Sequence, residues 1–160
     1  MKETNCREEV TRGCEVFLRR VFDVDGGRLR LGCKADRIGV LASGTLLVTD
    51  YKTGAAGRVP TPEYLRSDLP TFIYYLLARA CYPGYGATRI VFVNVLSLAH
   101  VEVEYDAGQV AANKAGLREC FARILADDSF QAGRCEACAW CAVAEDCSLF
   151  SGEVGFDALT

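Results

Sequence analysis

The chain has 160 residues, 51% of them hydrophobic and 24% charged, with a formal net charge of −3. That is enough chain for one domain with a real core, and the balance reads as soluble and globular. It excludes bulk basicity as a sign of nucleic-acid binding, so any polyanion site must be a local groove, for which Arg58, Arg66 and Arg79 are candidates.

Residues 1–9 are polar, and no stretch is long and apolar enough to span a membrane. A cytoplasmic protein without a membrane partner is expected. Residues 3–12 predict a short polar helix and residues 15–22 a strand. Asp25-Gly26-Gly27 is a turn signal, and the chain resumes as a strand over residues 28–41. Ala42-Ser43-Gly44 predicts a tight turn with Gly44 left-handed, and residues 45–52 form the next strand. A Gly/Ala loop follows from Thr53 to Arg58.

Thr61-Pro62-Glu63 opens a helix, with proline at its first position. Ser67 or Asp68 caps a second helix that tolerates Pro70 in its first turn and runs to about Ala80. Residues 88–97 and 100–105 predict a strand hairpin. Asp106 caps an amphipathic helix over residues 107–127. The order of elements points to an α/β fold, a mixed central sheet flanked by helices.

Thr49-Asp50-Tyr51-Lys52 is the most informative strand segment. Side chains alternate along a strand, so Asp50 and Lys52 share a face with Leu46 and Val48. A hairpin centred on Ser43 sets Asp36 opposite Asp50, Ile38 opposite Val48 and Val40 opposite Leu46. One face then runs from apolar core to a mouth holding Asp36, Asp50 and Lys52, with Lys34 nearby. Two carboxylates this close call for a cation, and oxygen ligands favour Mg²⁺ or Mn²⁺. Such an ion polarises a phosphate and lowers the pKa of bound water, while Lys52 stabilises developing charge. A D-x-K triplet alone is common on strands and is usually a solvated ion pair at a sheet end.

Asp36-Arg37-Ile38 followed by Asp50-Tyr51-Lys52-Thr53-Gly54 resembles the RecB-like branch of the PD-(D/E)XK nucleases, with its D-R-I/V and D-Y-K-T-G motifs. The resemblance implies a restriction-endonuclease-like fold and a Mg- or Mn-dependent DNA exonuclease of repair, recombination or CRISPR adaptation. Asp36, Asp50 and the Tyr51 carbonyl would hold the metal, and Lys52 would be catalytic. Tyr74 fits the tyrosine of the family's Q-x-x-x-Y motif, while Pro70 replaces the glutamine. Glu15 matches a glutamate of the preceding strand, and Cys33 replaces a glycine. The family's upstream histidine ligand has no counterpart, since the one histidine is His100 on a late strand. The implied partners are DNA and a helicase or other nuclease-complex subunit. The competing readings are a non-catalytic relative that binds DNA or protein, and a partial chain completed by another subunit.

Nine cysteines are too many for an ordinary reduced cytoplasmic protein unless they bind something. Cys135, Cys138, Cys141 and Cys147 form C-x2-C-x2-C-x5-C, a soft-ligand cluster suited to a [4Fe–4S] cluster or to Zn²⁺. Cys138-Ala139-Trp140-Cys141 through Cys147 resembles the C-x2-C-x5-C ending of the iron–sulfur members of the family, which favours the cluster. The fourth ligand is Cys135, Cys6 or Cys14. Cys33, Cys81 and Cys120 lack metal spacing and read as small buried residues. The expected organisation is a nuclease-like core over residues 1–131, a cysteine metal-binding segment over 132–150 and a tail over 151–160.

Overall fold

In a computed structural model, residues 9–54, 60–129, 133–147 and 149 are described. The chain divides into two units, residues 1–122 and 123–160. The first is built on two long antiparallel strands, β1 (Glu9–Val24) and β2 (Gly27–Leu41). Gly26 turns between them with φ of 92°, a conformation that glycine adopts without a Cβ penalty. The helix expected over residues 3–12 is corrected where it can be seen. Residues 9–11 pair with residues 39–41 as a continuation of β1, and Glu9 forms an ion pair with Arg37, 2.9 Å from Oε1 to Nη2. Ladder hydrogen bonds outweigh the local polar helical signal here. Residues 3–8 lie outside the described residues.

The next strand, β3 (Leu46–Lys52), returns from β2 through the predicted turn, closed by Gly44 N to Leu41 O at 2.8 Å with Gly44 at φ of 80°. The register is the one expected: Ile38 opposite Val48 and Val40 opposite Leu46. Every residue from Leu46 to Asp50 is buried, because β3 lies at the centre of the five-stranded sheet ordered β1-β2-β3-β4-β5.

Two helices carry the chain over one face to a parallel partner. The first, α1 (Pro62–Ser67), is capped by Thr61 Oγ1, which accepts from Tyr64 N at 3.2 Å. The second, α2 (Leu69–Cys81), is capped by Asp68, whose Oδ2 accepts from Thr71 N at 2.9 Å. Each cap contributes about 1 kcal/mol. Phe72, Leu77 and Ala78 of α2 are buried, and the core joins Leu77 and Ala78 to Leu18, Ile38, Leu46 and Val48.

Strand β4 (Thr88–Asn94) then runs parallel to β3 and pairs antiparallel with β5 (His100–Val103). β4 stops at Asn94 instead of continuing to Ser97. The Asn94 side-chain oxygen accepts from Leu96 N and Ser97 N, both at 3.0 Å, and so supplies the acceptor of a turn. Asp106 and Gln109 exchange side-chain and backbone hydrogen bonds at the start of α3 (Ala107–Ala126), a reciprocal cap. Asn113 of α3 donates to Arg66 O at 2.9 Å, which ties α3 to α1. This is the α/β architecture with a mixed sheet and flanking helices that the element order implies. No helix among the described residues is long and apolar enough to cross a membrane.

The second unit contains a short 3-10 helix, Glu136–Trp140, and a run of turns.

Candidate active site and cysteine segment

The mouth of the site is made by the outer end of β3, its neighbour β2 and the inner face of α2. Asp50 is 6% exposed. Its Oδ1 accepts from the Tyr74 hydroxyl at 3.1 Å, and its Oδ2 lies 2.5 Å from Lys52 Nζ. That second oxygen is buried and takes no hydrogen bond of good geometry, so the ion pair leaves it acceptor capacity to spare. Lys52 is exposed and lies 5.6 Å over the Phe92 ring, on the strand beside it.

Asp36 reaches the same place from β2. The β2–β3 ladder ends at Arg37 and Thr49, and one step further the Asp36 carboxylate accepts from Tyr51 N at 2.7 Å. The side chain replaces the ladder bond that a regular strand would make. Both carboxylates act on one hydroxyl. Burial first, then the charge of Asp50 and its hydrogen bond, hold the Tyr74 phenol well above its usual range, with Asp36 adding to the effect. Tyr74 therefore stays a neutral donor. Its hydroxyl also lies 3.1 Å from Lys34 O, so it links β2, β3 and α2.

The residues singled out as Asp36, Asp50, Lys52 and Tyr74 thus meet at one sheet end. Lys34 contributes through its carbonyl, while its ammonium pairs with Glu15 and lies 5.6 Å over the Phe17 ring. Pro70 sits exposed in the first turn of α2, where it offers no side-chain donor. Arg66 pairs with Glu63 at 3.6 Å, and Arg79 donates to Tyr85 O and Gly86 O at 2.6 and 2.9 Å. Those two arginines serve helix α1 and the loop after α2, and Arg58 lies outside the described residues. His100 is exposed at the start of β5 and lines a cleft with Tyr51 and Glu102.

Two features had little or no sequence signal. Glu15, across from Asp36, has φ of 55°, rare for a non-glycine residue and strained by about 1–3 kcal/mol. The strand faces change there: Ala35 and Ile38 both turn toward the core, an odd and an even position. Asn94 Nδ2 donates to Gly54 O at 3.2 Å and Val95 N to Lys52 O at 3.0 Å, fastening the chain just after Lys52. Only the turn-forming character of asparagine hinted at the second.

A family model of the PD-(D/E)XK nuclease superfamily matches residues 3–148. The chain belongs to that superfamily. Eight solved chains also match. The crystal structure of SSO0001 is one of them, with a TM-score of 0.53 at 19% identity over 86% of this chain. That likeness shows the fold. This PD-(D/E)XK chain spans 60% of the length of the SSO0001 chain. No curated protein matches it.

In the second unit the superfamily member carries its cysteine segment. Cys138 N donates to Cys135 O, Cys141 N to Cys138 O, Ala144 N to Cys141 O and Cys147 N to Ala144 O, at 3.0–3.3 Å. This is a ladder of i to i+3 bonds with a cysteine at each step except Ala144. The 3-10 turn itself spans only Glu136–Trp140, with Cys135 and Cys141 extended at its two ends. Cys135 and Cys138 have their sulfurs 4.0 Å apart, and Cys135 N donates to Cys138 Sγ at 3.3 Å. Two thiolates ~2.3 Å from one tetrahedral ion would be ~3.8 Å apart. The donor set fits a soft metal at that pair, though among the described residues no three His, Cys, Asp or Glu side chains are grouped as a metal site. Trp140 beside them is 88% exposed. Of the other cysteines, Cys14 is exposed, and Cys33, Cys81 and Cys120 are half-buried instead of fully buried. Burial, with Cys81 second, pushes the Cys33 thiol up to about 11, so it stays protonated. Cys6 lies outside the described residues.

Proposed function

We propose that this PD-(D/E)XK chain is a Mg²⁺- or Mn²⁺-dependent DNA nuclease, a RecB-like exonuclease module that hydrolyses phosphodiester bonds in repair, recombination or CRISPR adaptation. The observation that carries the reading is the buried Asp50 Oδ2, which has an ion pair but no hydrogen-bond donor, at a mouth shared with Asp36 and Lys52. Asp36, Asp50 and the Tyr51 carbonyl would hold the cation, which supplies Lewis acidity toward a phosphate and its attacking water. Lys52, exposed beside Asp50, would donate to the phosphate oxygens as charge builds. Tyr74 holds Asp50 in place through Oδ1, and Oδ2 takes no hydrogen bond. Phe92 beneath Lys52 limits where the ammonium swings.

The division we propose is a nuclease core over residues 1–131 and a metal-binding segment over 132–150. The proposed tail, residues 151–160, lies outside the described residues. Cys135, Cys138, Cys141 and Cys147 would hold a [4Fe–4S] cluster or, as the alternative, Zn²⁺. A helicase or another nuclease-complex subunit is the fitting partner. The second reading is a nuclease-fold module that binds DNA or protein without cutting, favoured by Pro70 at the place of a polar motif residue. The test is cutting of end-labelled DNA across a Mn²⁺ series by the native chain and by Lys52→Ala. Metal-dependent cutting lost in the variant supports the enzyme. DNA binding with no cutting at any Mn²⁺ level, unchanged by Lys52→Ala, replaces it with the second reading.

A further inference from the structure

The two long strands β1 and β2 extend well beyond the sheet's other members. In their outer half, one face belongs to the core: Leu18 is buried, Val16, Phe22, Leu31 and Cys33 pack against the core, and Arg20 donates to Ala80 O of α2 at 3.1 Å. Alternation turns the intervening residues the other way. That second face carries Phe17, Arg19, Val21, Arg28, Arg30 and Lys34, all exposed.

Its chemistry is specific. Cross-strand pairing sets Phe17 against Lys34, Arg19 against Gly32 and Val21 against Arg30. Gly32 has no side chain to fill the space next to Arg19, so that guanidinium faces no cross-strand neighbour. Four cations stand on a chain whose net charge is −3. The acids among them are Asp23, which lies 4.0 Å from Arg28, and Glu15, which pairs with Lys34. Arg19 and Arg30 have no side-chain partner among the described residues. Phe17 is 67% exposed, a large apolar ring that a sheet face gains nothing by showing to water. An aromatic ring with Lys34 across from it, Arg19 next along its face and Arg30 one pair beyond offers a base a stacking platform and offers phosphates their counter-charges. In a duplex the bases are already stacked on one another, so the ring selects a single strand.

We propose that this outer face of the β1–β2 hairpin is a track for single-stranded DNA, with a base stacked on Phe17 and phosphates held by Arg19 and Arg30. The inference rests on the nuclease reading and deepens it. Phe17 lies over against Lys34, whose carbonyl takes part in the Tyr74–Asp50 network, so the face borders the carboxylate mouth from the side of the sheet turned away from α2.

The experiment is fluorescence anisotropy of labelled oligothymidylate and of a blunt duplex with the full chain, in a chelator, so that binding is read without cutting. Phe17→Ala should weaken oligothymidylate binding about tenfold, leave the duplex unchanged and leave the melting temperature unchanged; Phe17→Tyr should restore it. The double change Arg19→Ser with Arg30→Ser should reduce the salt slope of oligothymidylate binding by about 1.4, two phosphates at ~0.7 each, which Phe17→Ala should not do. Equal weakening of single strand and duplex by Phe17→Ala overturns the stacking assignment. No change in oligothymidylate binding overturns the track, and loss of a co-purifying protein in its place assigns the face to a protein partner. Because no outcome depends on cutting, a chain that binds this way yet never cuts defeats the nuclease reading alone.

Discussion

The carboxylate mouth and the cysteine segment are both short motifs, and they are held by different physics. At the mouth, four side chains from β2, β3 and α2 are fixed by a sheet ladder, a buried core and the Tyr74 hydroxyl before any ligand arrives. In the cysteine segment the order is local: turns from one cysteine to the next, thiols half-buried or exposed, and Trp140 open to solvent. A site set by tertiary register is preorganised and can be specific about geometry. A site set by local turns relies on its ligand for most of its stability.

Removal of charge from the mouth has the largest expected effect. Lys52→Ala should lower cutting by at least about a hundredfold while Mn²⁺ binding stays nearly intact, because the ammonium serves the transition state. Asp50→Ala should remove both cutting and Mn²⁺ binding in a calorimetric titration. If Lys52→Ala loses metal affinity along with rate, the two roles are not separate.

A smaller effect is expected from the other side of the comparison. Cys141→Ser, or stripping of metal, should raise amide exchange across residues 133–147 on the order of a hundredfold, and leave the strands β2 and β3 as protected as before. Equal protection in the variant would mean the turns hold themselves. Iron analysis and an absorbance spectrum of anaerobic protein distinguish the cluster from zinc.

Tyr74→Phe probes the tie between α2 and the sheet. It deletes a hydrogen bond to a buried carboxylate and should cost about 1–3 kcal/mol in denaturant unfolding, with a weaker loss of cutting than Lys52→Ala. A variant as stable as the native chain would show that packing alone holds Asp50.

The smallest effect is one of pH. Burial, and behind it the Asp68 carboxylate, hold the Tyr105 phenol above its usual value of 10.0. The folded chain then keeps this proton more tightly than the unfolded one. Its contribution to stability is full below pH ~10 and falls as pH rises above that. Tyr105→Phe should flatten the alkaline limb of melting temperature against pH, at the small cost of the hydroxyl's bond to Leu65 O.

Features that depend on neighbours close in the chain are legible without the fold. The turn at Gly44 and the alternation of Leu46, Val48, Asp50 and Lys52 fixed the β2–β3 register to the residue, since a slip of one would take Ile38 and Val40 off the face they share with Val48 and Leu46. The caps at Thr61, Asp68 and Asp106 were legible for the same reason. The tertiary structure decided what long-range partners decide. Residues 9–11 are strand because β2 offers them a ladder edge, and β4 ends at Asn94 because its side chain there satisfies the turn. Tyr74 reaches Asp50 only because α2 crosses the face of β3 at that height, and Glu15 takes a left-handed conformation where the two long strands change faces beside Asp36. A local pattern cannot encode these, because their hydrogen bonds and burial come from residues far apart in sequence.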